Sequence, residues 1–403
     1  MSEKNNKYTP NLSFPEFTGE WEEKTLGEVC DSILTGFPFK GEDITDDASG
    51  HPILRAFSIG EGIIRHGKDY DKYYPYDAEK LKKYEVRKGD IVISMDGSVG
   101  KNIALISEKE ERNLLIQRVA RLRITDYPIH LIFQQIISQR FKDYAAGEKK
   151  GAVIAHISQK QIELFPIYIP NSPAEQQKIA SCLSTMDDLI AAQAEKVEAL
   201  KEKKTGLMQQ LFPQKGETTP RLRFPEFTGE WEVVLAKELC DINTGKSNTQ
   251  DQVADGLYPF FIRSATPVRS NRYLYDCEAV ITIGEGQIGK VFHYVNGKFD
   301  LHQRCYMMSN FKGIDCRYFY YFFSHNFYER VMRLSAKAVV DSVRLEMISD
   351  MPIFVPSTLA EQQKIASCLS ALDDQIAAET EKLTALKDYK KGLMQQLLPQ
   401  PAK

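Results

Sequence analysis

The sequence of 403 residues has no long apolar run, since no stretch reaches the roughly 18 residues of a membrane-spanning helix. Its start, MSEKNNKYTP, lacks the apolar segment of a secretory signal. The seven cysteines are scattered without a C-x-x-C spacing, which predicts reduced thiols in a cytoplasmic protein. Cys305 and Cys316 with His302 do not have the ligand spacing of a zinc site, so we expect no metal.

Catalytic motifs are missing as well. We find no Asn/Asp-Pro-Pro-aromatic methyltransferase motif, no H-E-x-x-H, no G-x-S-x-G and no recognisable set of nucleophile and base. A net charge of −3 does not by itself indicate a nucleic-acid-binding protein. Basic residues do cluster at 79–89, 117–123 and 263–272, although each cluster is also compatible with an ordinary solvated face. Composition therefore excludes a membrane protein and offers no support for an enzyme.

Several segments of the sequence occur twice. The repeated segments are FPEFTGEWE at 14–22 and 224–232, AEQQKIASCLS at 174–184 and 360–370, and GLMQQL at 206–211 and 392–397. Between them lie two divergent blocks, 23–171 and 233–357, whose residues 88–106 and 277–295 nevertheless align. The chain is therefore a tandem duplication in which the repeated segments match and the blocks between them differ.

The matched segments have the apolar period of a coiled coil. Apolar residues recur at alternating steps of four and three over five heptads in each copy: Ile179, Leu183, Met186, Ile190, Val197, Leu200, Leu207 and Leu211, then Ile365, Leu369, Leu372, Ile376, Leu383, Leu386, Leu393 and Leu397. A strict period of 3.5 indicates a coiled coil. Two matched helices in one chain most simply pair with each other in antiparallel fashion, and pairing between two chains is the alternative.

Both predicted helices have start and stop signals. Ser172 with Glu175, and Thr358 with Glu361, form capping boxes, and Pro213 and Pro399 end the helices.

Polar residues interrupt the predicted seam at Gln193, Lys204, Glu379 and Lys390, and we expect them to fix the register. In an antiparallel pair Gln193 would face the Lys390 side and Glu379 the Lys204 side.

One stretch, GEGQIGK at 284–290, matches both a dinucleotide fingerprint and a phosphate-binding loop. A phosphate-binding loop needs a following helix and a Ser or Thr hydroxyl for magnesium. Here Val291 replaces that hydroxyl, and VFHYV alternates like a strand. The aligned stretch at 95–101 has Met95 in place of the first glycine. We therefore predict a strand–turn–strand corner in each block.

The fold we predict is α+β, with two domains of mixed sheet and helix alternating with two long helices. The helices form an antiparallel intramolecular coiled coil, which would give a pseudo-two-fold molecule. The predicted boundaries are 1–171 for the N-terminal segment and first domain, 172–213 for the first helix, 214–357 for the linker and second domain, and 358–403 for the second helix and tail. Aromatic residues at 318–323 have helical spacing and are predicted to be core.

The duplicated order resembles the specificity subunit of Type I restriction–modification systems over essentially the whole chain. The residues that carry the resemblance are GEW at 19–21 and 229–231, GDIVIS followed by GSVGK with its partner VITIGEGQIGK, two Gln-Arg pairs, PxxxP before each helix, and AEQQKIAS twice. The resemblance implies a non-catalytic subunit that binds double-stranded DNA with a bipartite target. It implies two methyltransferase subunits and two restriction–translocation subunits as partners, which would hold the cofactors S-adenosylmethionine, ATP and magnesium.

Candidate DNA contacts follow from residue type, since Lys and Arg on loops take phosphates and Gln and Arg can read bases. In the first domain they are Lys40, Arg55, Arg65, Lys68, Lys101, Gln117, Arg118, Lys149 and Lys150. In the second they are Lys246, Ser247, Asn248, Arg263, Arg269, Arg272, Lys290, Gln303, Arg304 and Lys337. Ordinary surface charge is the alternative for most of them. The shared Gln-Arg pairs favour a structural or backbone role, because domains that read different bases would not share base-reading residues.

Two other functions remain open. One is a coiled-coil adaptor that tethers two ligand-binding domains without touching DNA. The other is an independent nuclease or NTPase, which the missing motifs disfavour.

Overall fold

The structure is a computed structural model and describes residues 8–97, 100–147, 156–214, 216–334 and 342–399. The chain divides into two compact units, which are residues 1–193 with 382–403 (unit 1) and residues 194–381 (unit 2). Both units contain sheets and helices, so the predicted α+β class is confirmed. Across these ranges, no helix is long and apolar enough to cross a membrane.

In its described residues, unit 1 carries nine strands and four short helices before the first long helix. The strands are β1 Trp21–Thr25, β2 Ser32–Thr35, β3 His51–Leu54, β4 Lys72–Tyr74, β5 Ile91–Ser94, β6 Ile103–Leu105, β7 Leu114–Leu115, β8 Val119–Arg123 and β9 Pro166–Pro170. The helices are α1 Leu26–Val29, α2 Ile129–Ile136, α3 Gln139–Gly147 and α4 Gln159–Glu163. Short 3₁₀ turns occur at Gly41–Asp43, Ala56–Ser58, Glu79–Tyr84 and Glu108–Glu110.

These strands make three small sheets. One has the order β2-β8-β5-β6, a second has β4-β3-β7, and a third pairs β1 with β9. Within the first sheet all neighbours are antiparallel, whereas β3 and β7 are parallel. The main core lies where β5, β8 and β9 pack against α2 and α3, with Ile93, Leu122 and Phe141 fully buried.

The first long helix, α5, spans Pro173–Leu211, and the elements of unit 2 follow it. Its strands are β10 Glu232–Leu235, β11 Asp241–Thr244, β12 Tyr258–Phe261, β13 Val268–Ser270, β14 Tyr275–Ile283, β15 Phe292–Leu301, β16 Cys305–Ser309 and β17 Pro352–Val355. Its helices are α6 Ala236–Leu239, α7 Cys316–Leu334 and α8 Leu345–Ser349, with a 3₁₀ turn at Thr249–Asp251. The second long helix, α9, spans Leu359–Leu397.

Unit 2 repeats the frame of unit 1 with longer strands. Its larger sheet has the order β11-β16-β14-β15-β12-β13, and β10 pairs with β17 as β1 pairs with β9. The aromatic segment at 318–323 lies on α7, where Tyr318, Phe319 and Phe323 are fully buried, so the predicted core role is confirmed.

The long helices pair within each unit. In unit 2 Lys196 contacts Glu379 and Lys204 contacts Asp373, so residue numbers rise along α5 as they fall along α9. In unit 1 Leu183 packs with Leu397 in one apolar cluster, and Lys390 pairs with Asp187. The predicted antiparallel, intramolecular coiled coil is confirmed.

The two lysines of the predicted seam form ion pairs, although with other partners than the sequence suggested. Lys204 binds Asp373 rather than facing Glu379, and Lys390 binds Asp187. The heptad pattern could not give these partners, because both aspartates lie next to the apolar seam positions and not on them.

Each of these two aspartates also accepts a hydrogen bond from a helix of its own unit's domain. Gln134 on α2 donates from Nε2 to Oδ2 of Asp187 at 2.6 Å. The hydroxyl of Tyr321 on α7 donates to Oδ2 of Asp373 at 2.7 Å. One carboxylate per unit thus ties a domain helix to both long helices.

The helix starts agree with the predicted signals in part. The backbone N–H of Glu175 donates to Oγ of Ser172 at 3.4 Å, and that of Glu361 donates to Oγ1 of Thr358 at 3.3 Å. The Glu361 carboxylate, however, does not turn back to the cap: it accepts from Nε1 of Trp231 at 3.3 Å and from Arg223. The capping-box glutamate therefore holds the repeated GEW segment against the helix.

Candidate nucleic-acid interface

The glycine-rich stretch forms a corner between two strands in each unit. In unit 2 it connects β14 to β15, and Gly286 and Gly289 have φ of +86° and +68°. A Cβ on Gly289 would lie 3.0 Å from the Cα of Tyr328, so glycine is required there for two reasons. The strand that follows excludes a phosphate-binding loop and confirms the predicted corner. In unit 1 the corresponding corner connects β5 to β6, and its residues 98–99 lie outside the described ranges.

The Gln-Arg pairs lie against these corners. The carbonyl of Arg118 accepts from the N–H of Met95 at 2.9 Å, and the carbonyl of Arg304 accepts from that of Gly284 at 2.8 Å. Arg118 has φ of +73°, a conformation that non-glycine residues rarely adopt. The backbone of each arginine thus closes its corner, while the side chains of both Gln-Arg pairs are exposed and their role stays a prediction.

A third segment completes each corner. The N–H of Ile157 donates to the carbonyl of Met95 at 2.9 Å, and the N–H of Val343 donates to that of Gly284 at 2.7 Å. Three loops that are distant in sequence thus converge at one end of the sheet in each unit. Convergent loops on a rigid sheet are the usual place for a binding surface.

A carboxylate at each corner contacts the arginines nearby. In unit 1 the Asp96 carboxylate is 3.5 Å from Nη1 of Arg118 and 2.7 Å from Nδ1 of His156. In unit 2 the Glu285 carboxylate pairs with Arg304 and, at 3.0 Å, with Arg263. The hydrogen bond from Arg304, then the charge of Arg304 and the hydrogen bond from Arg263, hold the pKa of Glu285 below its usual range against the opposing effect of burial.

Replacing Glu285 by glutamine should strengthen non-specific DNA binding. The change releases Arg263 and Arg304 from their ion pairs, so we expect the slope of log K against log salt to steepen by up to about one phosphate contact. Fluorescence anisotropy with a random duplex at several salt concentrations measures this. Glu278→Gln on the neighbouring strand β14 serves as a charge-matched control, and an equal effect from both variants would show that only net charge matters.

The remaining first-domain candidates are separated. Lys40 is exposed and pairs with Glu42 at 3.6 Å, and Lys101 is exposed on the corner itself. Arg55, Arg65 and Lys68 lie together on the connection between β3 and β4. Gln117 is exposed, and its N–H donates to the carbonyl of Phe37 at 2.8 Å. Lys149 and Lys150 lie outside the described residues.

In unit 2 several candidates have contacts within the unit. Ser247 is fully buried and its hydroxyl donates to Asp300 at 2.5 Å, so it is not available to DNA in this arrangement. Arg272 donates to Ser247 at 3.0 Å and pairs with Asp251 at 2.8 Å. Arg269 donates to the carbonyl of Gly256 at 3.0 Å.

The other second-domain candidates are exposed. Nζ of Lys290 lies 5.2 Å from the ring centre of Tyr328, which places it at the corner. Lys246, Asn248 and Gln303 are exposed on the loops beside it. Lys337 lies outside the described residues.

The sequence reasoning missed the corner carboxylates, because it looked only for cations and hydrogen-bonding side chains. A signal was present: Asp96 and Glu285 occupy the same position in the two aligned stretches. Such an acid orients the neighbouring arginines.

No described group of three or more His, Cys, Asp or Glu side chains could hold a metal ion. Burial raises the pKa of the Cys305 thiol to about 12, which keeps it protonated and unsuited to metal binding.

Comparison with known proteins agrees with this architecture. The family model for the Type I restriction modification DNA specificity domain matches twice, at residues 18–202 and 228–388. The putative type I restriction enzyme MjaX specificity subunit of Methanocaldococcus jannaschii is 27% identical, over 98% of this chain and 96% of its own length. The EcoDI specificity subunit of Escherichia coli is 26% identical over 42% of this chain and 37% of its own.

The fold also has a solved counterpart. The S subunit of a Type I restriction–modification system from M. genitalium is 14% identical and superposes with a TM-score of 0.65, covering 98% of this chain and all of that one. Two family matches over most of the chain, each containing a corner and a long helix, leave one assignment: the chain belongs to the Type I restriction–modification specificity subunits, the non-catalytic DNA-recognition components of these systems.

Proposed function

We propose that the chain reads a bipartite, asymmetric DNA target, each recognition domain contacting one half through the major groove. The observation that carries this proposal is the contrast between the two domains and the helices. Both domains have the same corner frame, yet their exposed side chains differ, whereas the helices repeat almost residue for residue. Two different readers on one repeated scaffold give two different half-sites, and the major groove distinguishes all four base pairs.

The helical pair sets the gap between the half-sites and docks two methyltransferase subunits. The near-identical helices support this, because a repeated surface suits two copies of one partner. Two restriction–translocation subunits would join for cleavage, and the partners would bring S-adenosylmethionine, ATP and magnesium. Such a complex acts on chromosomal DNA in the cytoplasm.

Methylome sequencing tests the proposal. A host without modification would express this chain with its neighbouring methyltransferase subunit. The expected result is a modified two-part motif with a fixed gap. A stable complex that modifies no motif would instead favour the adaptor function, which also predicts no salt-dependent binding to duplex DNA.

Lengthening both helices should change the gap and leave the half-sites unchanged. Seven residues inserted after Gln193, and seven after Glu381, preserve the period of the seam and add about 10 Å of helix. That length corresponds to about three base pairs, so sequencing of the methylome should show a longer gap. The control replaces the heptads at the same places without changing length, and an unchanged gap in the longer variant would contradict a spacer role.

A further inference from the structure

The connection between β3 and β4, residues 55–71, is a feature of unit 1 alone. In unit 2 the corresponding strands, β12 and β13, are joined by residues 262–267 only. The strands correspond because β3 is antiparallel to β4 and parallel to β7, as β12 is antiparallel to β13 and parallel to β15. The 55–71 connection therefore belongs to whatever distinguishes the first domain from the second.

The 55–71 connection forms a hairpin with its own backbone hydrogen bonds. Ile59 and Ile64 form a β-bridge, and the N–H of Arg65 donates to the carbonyl of Ser58 at 2.8 Å. Its tip is fixed to the glycine corner, because the N–H of Gly62 donates to the carbonyl of Ile103 at 2.8 Å. The hairpin thus stands at the end of the sheet where the three loops converge.

Two large apolar side chains of the hairpin are exposed to solvent. Phe57 and Ile63 are each 59% exposed, whereas Ile59 between them is fully buried. The ring of Phe57 stacks on Tyr70, with centroids 5.2 Å apart and planes at 22°. The guanidinium of Arg65 lies 5.9 Å from the ring centre of the same tyrosine. Packed neighbours orient the exposed ring, which is what a contact surface requires.

The hairpin also carries cations that could contact phosphates. The hairpin carries three cations that form no ion pair within the described part of the chain: Arg55, Arg65 and Lys68. Of its carboxylates, Glu61 pairs with Lys142 and Asp71 contacts His66 at 3.2 Å. Residues 55–71 thus carry three cations and three carboxylates, and Glu61 pairs with Lys142 outside the hairpin, so cations without an ion-pair partner among the described residues lie on the same hairpin as the exposed apolar groups.

We propose that Phe57 and Ile63 contact the 5-methyl groups of thymines in the half-site of the first domain, while Arg55, Arg65 and Lys68 contact the flanking phosphates. The proposal rests on the proposed function and names the base feature that this hairpin reads. The thymine methyl is the apolar group among the base edges of the major groove, and apolar side chains recognise it. Phosphate contacts hold the hairpin in register without specifying sequence.

Deoxyuridine tests the contact, because it lacks only the 5-methyl group of thymine. With the target known from methylome sequencing, each thymine is replaced in turn in a duplex, and affinity for the complex of this chain with its methyltransferase subunit is measured. At one or two positions of one half-site we expect a loss of about fourfold, the ratio for burying one methyl group. Phe57→Ala or Ile63→Ala should reduce affinity for the thymine duplex by a similar factor. For the duplex with deoxyuridine at the sensitive position, the same substitutions should cause no further loss of affinity.

A matched control is Leu164→Ala, which shortens another half-exposed apolar residue of unit 1. This variant should bind the thymine duplex like the wild type and keep its sensitivity to deoxyuridine. The proposal is overturned if the losses from protein and DNA changes multiply, if no deoxyuridine position matters, or if neither half-site contains thymine. A complex that modifies no motif and binds no duplex would instead overturn the proposed function itself.

Discussion

Replacing Arg223 by serine is expected to destabilise unit 2 by about 3 kcal/mol. The Glu361 carboxylate is 1% exposed and is held by Nε of Arg223 at 2.7 Å and by its Nη2 at 2.9 Å. Removing one partner of a buried ion pair leaves the other charge unpaired, which costs about 3–5 kcal/mol. We expect a loss at the lower end of this range of free energies, because the Arg223 side chain is 19% exposed.

Hydrogen exchange of the β10 and β17 amides measures this loss locally, which is preferable to global unfolding in a protein of two units. Lys364→Ala, which removes an exposed pair with Glu226 from the same helix end, is the control and should change little. Equal losses in the two variants would contradict the argument from burial.

Unit 1 offers the reciprocal experiment. Ser13 stands where unit 2 has Arg223, and the corresponding Glu175 is 2% exposed, with Oε2 lacking a partner among the described residues. Burial raises the pKa of Glu175, against a smaller effect of a hydrogen bond from Trp21. A raised pKa means that the folded state binds the proton more tightly, so this contribution to stability is present at low pH and is lost as pH rises through that pKa. Ser13→Arg should therefore stabilise unit 1 by about 1 kcal/mol at neutral pH, and the gain should vanish below the usual range of a carboxyl.

Replacing Asp90 by alanine should destabilise unit 1 by about 4 kcal/mol. Its carboxylate is 2% exposed and binds Arg123 at 2.8 and 2.7 Å. It also accepts from the N–H of Arg87 at 2.7 Å, and Nε of Arg121 lies 3.9 Å away. Without it, two neighbouring guanidinium groups would remain in the interior, uncompensated. Hydrogen exchange of the β5 and β8 amides measures the loss of stability. Asp126 is exposed, so Asp126→Asn serves as the control.

Unit 2 supplies the compensating substitutions. Asp90 directly precedes β5 and pairs with Arg123 at the end of β8, and the corresponding residues of unit 2 are Ala279 and Ser309, which are partners across β14 and β16. Arg121 corresponds to the buried Met307. The triple variant with Asp90→Ala, Arg121→Met and Arg123→Ser should recover most of the stability, because a buried ionic cluster is often replaced by apolar groups without loss. If the triple variant is no more stable than Asp90→Ala alone, unpaired arginines are not the cause of the loss, which contradicts the argument.

Periodicity and repetition made most of the architecture predictable. The heptads predicted the extent of both long helices, whose last residues are Leu211 and Leu397. Pro213 and Pro399, which were predicted to end them, lie two residues further on. The comparison of 284–290 with its partner stretch gave the corner. Local sequence patterns carry this information because helices and turns depend on neighbours along the chain.

Side-chain partners were not predictable in the same way. The pairing of Lys204 with Asp373 and the burial of Ser247 under Arg272 both join residues that are distant in sequence or unrelated by any pattern. The break between α2 and α3 was not predictable either, because no proline or glycine marks that boundary. Which cations face DNA stays a prediction, because exposure alone does not select them.

The carboxylates of Asp187 and Asp373 bear on how such a protein could acquire new targets. One accepts a hydrogen bond from an amide of its domain and the other from a phenol, on helices that are otherwise identical at these positions. An acceptor that tolerates either donor does not restrict the rest of the domain. A foreign domain grafted onto this scaffold would need a suitably placed donor together with apolar residues that share a core with Ile365 and Leu369, as Trp231 and Tyr318 do, so recombination would have to preserve only these groups at the junction.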